Sequence, residues 1–127
     1  MHLTRGTDYA LRLLIHLAQA GGQRLSIAEV ADAQAISRTY LMRITLTLVK
    51  KGFVSATRGH GGGIELARPA AEINLGAVVR AMEPRTGLVD CTDCKLIRCC
   101  RLPGALQKAQ QAFYASLDTQ SLADIIK

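Results

Sequence analysis

Tryptophan is missing from the 127 residues, and only five are aromatic, three Tyr and two Phe. So few large rings disfavour an aromatic-rich β-sandwich, while the many Leu, Ile, Val and Ala residues point to helices packed through aliphatic stripes. No apolar run approaches the roughly 18 residues of a membrane span, and the opening residues lack the uninterrupted apolar segment of a secretory signal. A cytoplasmic protein without membrane association is therefore expected. No glycine-rich phosphate motif follows a strand pattern and opens a helix, and no acid and base cluster together, which argues against an enzyme. The glycines from Gly59 to Gly63 lie between two strand-like runs instead of at a helix start. Internal repeats and low-complexity linkers are also absent. The length suits one modest core plus an appendage.

Acidic side chains are scarce: ten Asp and Glu face sixteen Lys and Arg, for a net charge of +6. The excess is uneven, with nine basic and four acidic residues over 1–68 and seven and six over 69–127. A basic half beside a nearly neutral one is the footprint of a nucleic-acid-binding module joined to another unit. Two parts are expected, a DNA-binding domain over 1–68 and, over 69–127, a part that carries the cysteine loop and a dimerisation helix.

Helical spacing of Ala10, Leu13, Leu14, Leu17 and Ala18 predicts a first helix from Thr7, its N-cap, to Ala20, stopped by Gly21 and Gly22. Ser26 and Glu29 form a capping box opening a short helix to about Ala33. Ser37 caps a further helix that turns Leu41, Ile44 and Leu48 inward and ends at Gly52. Two short helices so closely joined form a helix-turn-helix. The runs Phe53–Thr57 and Gly63–Ala67 read as strands around a glycine-rich tip, which makes a small β-hairpin wing. Asn74 caps a short helix, with Ile73 and Val78 as a hydrophobic staple, and Pro84 closes it. Leu102, Leu106, Ala109, Phe113 and Leu117 then define a long amphipathic helix whose stripe exceeds what so small a core can cover, so it is expected to pack on a partner chain. A last short helix is expected from Ser121. The fold class is thus mainly α: a winged helix-turn-helix with a long C-terminal dimerisation helix.

A recognition helix presents its early residues to base edges, which nominates Ser37, Arg38, Thr39, Tyr40 and Arg43 for double-stranded DNA. Arg58 and His60 on the wing are placed to meet the minor groove or the flanking backbone.

The loop from Arg85 to Arg101 holds Cys91, Cys94, Cys99 and Cys100, four cysteines within ten residues. In a reducing compartment such density means metal or redox chemistry more than a disulfide framework. Soft thiolates suit an iron–sulfur cluster, zinc or a thiol switch. Zinc prefers paired knuckles, and an adjacent Cys99–Cys100 pair diverges. Lys95, Arg98 and Arg101 favour a reactive thiol, and equally offset the charge of a cluster.

The opening Leu3-Thr4-x-x-Thr7-Asp8-Tyr9-Ala10-Leu11-Arg12, the helix start Ser37-Arg38-x-Tyr40-Leu41, the wing Arg58-Gly59-x-x-Gly62-Gly63 and the run Cys100-Arg101-Leu102 together resemble the Rrf-type winged-helix repressors along nearly the whole chain. Within that family the Thr-Asp-Tyr opening and the basic Arg43 are most similar to the nitric-oxide-sensing branch. The resemblance implies a homodimer crossed through the long C-terminal helices, repressing from a palindromic operator, with nitric oxide as the signal. It implies an iron–sulfur cluster, 4Fe–4S ahead of 2Fe–2S, held by Cys91, Cys94 and Cys100 with Asp8 of the partner subunit as fourth ligand. Read by itself, Asp8 is a first-turn carboxylate favoured by the helix dipole. Cys91 and Cys94 are closer together than the family's first two cysteines, which leaves Cys99 as a possible substitute ligand. Two alternatives accompany this reading: a regulator of cluster biogenesis, and a cluster-free thiol redox switch.

Overall fold

The computed structural model describes all of residues 1–127. Helix α1 runs Arg5–Gln19, earlier than the sequence indicated, because Thr4 is its N-cap and accepts the Thr7 N–H at 3.3 Å. Thr7 is a fully buried core residue instead of the cap, and its hydroxyl is satisfied by the Thr4 hydroxyl at 3.0 Å. The expectation put the cap one helical turn too late because both threonines precede the same apolar stripe.

Helix α2 (Ile27–Gln34) opens with the expected capping box: the Glu29 N–H donates to Ser26 Oγ at 3.0 Å, and the Ser26 N–H donates to Glu29 Oε2 at 2.7 Å. It ends at Ala35, which adopts the left-handed conformation at φ 55°, where a Cβ costs about 1 kcal/mol. That turn lets Ile36 return to the core, its N–H bonded to the Ala31 carbonyl at 2.9 Å. Helix α3 (Arg38–Lys50) follows, capped by Ser37 and burying Leu41, Ile44, Thr45 and Leu48.

Strands β1 (Val54–Thr57) and β2 (Gly63–Leu66) pair antiparallel, Val54 opposite Leu66 and Thr57 opposite Gly63. The sequence did not reveal a third rung. Leu25 and Ile64 exchange backbone hydrogen bonds of 3.0 and 2.7 Å, clamping the α1–α2 connection to the wing. A Cβ at Gly63, which has φ 146°, would lie 2.7 Å from the Leu25 carbonyl oxygen, so this approach requires glycine.

A 3₁₀ turn at Ala70–Glu72 leads into α4 (Leu75–Met82), capped by Asn74, with both staple residues, Ile73 and Val78, fully buried. An irregular loop then reaches α5 (Leu102–Leu117). In place of the last helix expected from Ser121 there is a 3₁₀ turn over Ala123–Ile125, too short for an α-helix. The core is continuous: Ile73, Val78 and Leu122 belong to the same buried cluster as Leu13, Leu41 and Leu48.

Helix α5 is fastened to α4 at its C-terminal end. Arg80 makes a two-pronged ion pair with Asp118 at 2.5 and 2.7 Å and lies over the Tyr114 ring at 4.8 Å. The Asn74 amide donates to the Asp118 carbonyl at 2.8 Å, and Leu122 N–H to the Ile73 carbonyl at 2.8 Å. A Cβ on Gly76 would collide with the Asp118 carboxylate. Hydrogen bonding from Arg80 holds the Asp118 carboxyl below the usual carboxylate range. Its proton affinity is thus lower folded than unfolded, so its stabilisation is complete above the ordinary carboxylate range and is lost as pH falls through the folded value. Asp118→Asn is expected to flatten the acid limb of the melting-temperature profile while changing little at neutral pH, where exposed ion pairs contribute about 0–1 kcal/mol. Thermal melts between pH 7 and 3 check this.

Candidate DNA-reading face and cysteine loop

The helix-turn-helix exposes one face of α3. With Leu41, Ile44, Thr45 and Leu48 turned inward, the 3.6-residue period sends Thr39, Arg43, Leu46 and Lys50 outward, and all four are exposed. Arg38 projects to the side instead. It forms a two-pronged pair with Asp32 of α2, at 2.7 and 3.2 Å, and this hydrogen bonding keeps the Asp32 carboxyl below its ordinary range. Ser37 spends its hydroxyl on capping, accepting the Tyr40 N–H at 3.3 Å. Tyr40 is half-buried with its ring edge-on to Tyr9, centroids 5.6 Å apart. Thr39 and Arg43 are thus the members of the nominated set that stand on the outward face.

Sequence reasoning passed over Met42 and Leu46, which are 51% and 64% exposed on this helix. Their spacing from Arg38 and Thr39 was the available signal, but apolar residues are read as core by default.

The wing carries Arg58 and His60, both exposed at its tip. Gly62 closes the turn with an N–H to Gly59 carbonyl bond of 3.0 Å, and a Cβ there would run into the Thr57 carbonyl oxygen. Arg24 braces the wing from outside, bonding Glu65 at 3.1 Å and the Gly61 carbonyl at 3.4 Å. Ion pairs therefore occupy Arg12, Arg24 and Arg38, whereas Arg43, Lys50, Lys51 and Arg58 enter none. Exposed, uncompensated cations on α3 and the wing suit a polyanionic backbone.

The cysteine loop has no helix or strand between Glu83 and Arg101. Cys91, Cys94 and Cys100 are half-buried and Cys99 is exposed; none forms a disulfide. Short turns hold the loop, Cys94 N–H to the Cys91 carbonyl at 3.3 Å and Ile97 N–H to the Cys94 carbonyl at 3.3 Å. Cys99 Sγ donates to the Leu96 carbonyl at 3.4 Å. Cys100 differs: its sulfur accepts the Leu102 N–H at 3.4 Å at the start of α5. In donor chemistry, four thiols among basic residues fit an iron–sulfur cluster. No three Cys, His, Asp or Glu side chains of the single chain gather around one metal position. Asp8, 46% exposed, is bound by Arg12 at 2.8 and 3.0 Å, and the Thr4 N–H of the same helix start donates to Glu83 at 2.7 Å, at the mouth of the loop.

A helix-turn-helix with a braced glycine wing defines a winged-helix DNA-binding regulator. The family model for Rrf2, described as an iron-dependent transcriptional regulator, matches residues 3–127. The chain belongs to the Rrf2 family, whose members regulate transcription and are not enzymes. Among solved structures it is similar to T. potens IscR, at 25% identity and a TM-score of 0.78 over 98% of this chain and 85% of that one. It is also similar to Staphylococcus aureus CymR in an oxidized form, at 25% identity and a TM-score of 0.73 over 96% of this chain and 93% of that one. CymR of B. subtilis, the global cysteine regulator, shares the fold at 23% identity and a TM-score of 0.72, over 98% of this chain and 95% of that one. No helix is long and apolar enough to cross a membrane.

Proposed function

We propose that the protein is a homodimeric repressor that binds a palindromic DNA site through α3 and the wing, and that an iron–sulfur cluster in its cysteine loop makes binding responsive to nitric oxide. The observation that carries this reading is the placement of four thiols immediately before a helix that buries none of its own residues, in a chain whose outward α3 face keeps Arg43 and Lys50 out of ion pairs. Leu102 is 52% exposed at the start of the α5 stripe, and further along the helix, at Ala109 and Phe113, a cleft of about 430 Å³ opens towards Leu3 and Leu88. A second copy laid against this face would cover it and bring two reading heads to half-sites about one helical turn apart.

Cys91, Cys94 and Cys100 are the proposed ligands, with Cys99 as the substitute and Asp8 of the partner subunit as the fourth. Such a cluster supplies iron that reacts with nitric oxide. The chain's part is to neutralise thiolate charge with Lys95, Arg98 and Arg101, and to trade the Asp8–Arg12 pair for a bond between subunits. Because oxygen holds iron less firmly than thiolate, Asp8 would be the weakest of these ligands, and its place at the start of α1 would couple the cluster to the relative placement of the two reading heads.

Two observations favour a second reading. The thiols are not gathered in the single chain, and a relative is known in an oxidized form, both of which suit a cluster-free thiol switch. Likeness to IscR favours a cluster-biogenesis type of regulator. Anaerobic purification with iron and sulfide counts separates them. Bound cluster with nitric-oxide-released DNA supports the main reading, iron-free protein with oxidant-sensitive binding supports the switch, and operator binding that persists without cluster supports the biogenesis type. Asp8→Ala is expected to stay folded but alter the nitric-oxide response; an unchanged response rejects the bridge.

A further inference from the structure

The outward face of α3 is half apolar. Leu46 lies one helical turn beyond Met42 and Arg43, and Lys50 one turn beyond Leu46. Met42 and Leu46 are 51% and 64% exposed and stand four residues apart, so together they form a small apolar strip on one side of α3. Arg43 stands between them and Lys50 one turn beyond Leu46, both cations in no ion pair, so a partner that presents negative charge beside apolar groups complements this face. A peptide or lipid surface is a poor match for a strip that is part of a helix-turn-helix. The major groove of DNA combines phosphates at its rims with one apolar feature on its floor, the C5 methyl of thymine.

We infer that Leu46 and Met42 read thymine methyl groups, so that the operator half-site is specified by apolar contact as well as by Arg43. The inference rests on the DNA-binding reading above and adds what that reading leaves open, the kind of base selected. Thr39, on the same face, places a further methyl and hydroxyl ahead of them. Arg38, turned aside to Asp32, contributes less to base choice than its position at the helix start suggests.

The experiment uses the whole 127-residue chain and duplexes selected from a random pool. Each thymine of a recovered half-site is replaced in turn by deoxyuridine, which deletes the methyl and keeps base pairing. The unsubstituted protein is expected to lose about fourfold in affinity at one or two thymines, the worth of one buried methyl, and about fifteenfold when both half-sites are changed. Leu46→Ala and Met42→Ala, at exposed positions where circular dichroism should report an unchanged fold, are each expected to bind the thymine duplex less well and to treat thymine and uracil alike at the thymine that the removed side chain contacts. Full discrimination retained in both variants overturns the inference, as does a half-site with no uracil-sensitive position. A variant that keeps discrimination but changes oligomeric state assigns the face to protein contact and likewise overturns it. Recovery of no duplex at all is distinguishable, since it counts against the DNA-binding reading itself.

Discussion

Protein purified without oxygen after Cys91, Cys94 and Cys100 are changed together to Ser is expected to carry only background iron and sulfide and no visible absorption band. Its melting temperature should match that of cluster-free unsubstituted protein, because none of these side chains belongs to the buried core and the loop makes no helix or strand. Metal binding to the folded state alone adds stability by mass action, so the comparison has to be with the cluster-free form. Single changes sharpen the test. Cys99 is exposed and spends its thiol on the Leu96 carbonyl, whereas the Cys100 sulfur is half-buried and accepts a backbone N–H at the start of α5. An acceptor sulfur fixed at a helix start is the better-oriented ligand, since outer hydrogen bonds position metal-binding groups. Cys99→Ser should thus retain most of the iron and Cys100→Ser should lose it. The reverse result would exchange their roles, and full iron in the triple variant would remove the loop from the cofactor altogether.

Leu122→Ala is expected to destabilise the protein by about 2–5 kcal/mol, or roughly 8–20 °C in melting temperature, on the usual cost of emptying a fully buried leucine site. Leu122 is completely buried although it lies five residues from Lys127, and its backbone N–H is bonded to Ile73. Losing it loosens the segment after α5 from Ile73 and the start of α4. Leu102→Ala is the contrast: that side chain is half exposed, so folding of one chain should be little affected while association of two chains weakens. Denaturant melts combined with sedimentation at several concentrations measure both. Equal losses for the two variants would show that Leu122 is not a core position or that chain folding and dimerisation are inseparable.

Much of the architecture was legible because the signals were local. Ser26 with Glu29, Ser37 with Tyr40, and Asn74 with Ala77 are caps made within three residues, and each appears where the pattern put it. Thr7 shows the limit: it was expected as the cap, but Thr4, three residues earlier, holds that place, and only packing decides which hydroxyl caps and which is buried. The reading face was partly legible. Arg43 and Thr39 follow from helical period, but the sideways turn of Arg38 depends on Asp32, six residues away on another helix. Met42 and Leu46 were overlooked because hydrophobicity by itself does not distinguish a buried side chain from one displayed to a partner.

By itself the sequence determined the helix-turn-helix, the glycine wing, the charge asymmetry and the clustering of thiols, since each depends on residues close together in the chain. Tertiary structure alone decided that Leu25 joins the wing, that Arg24 braces it, that Arg80 grips Asp118 and that Leu122 completes the core shared by both halves. Those contacts join residues 38 to 49 or more positions apart, and at such separations it is the shape of the packed chain, not local periodicity, that selects one partner among many of equal chemistry.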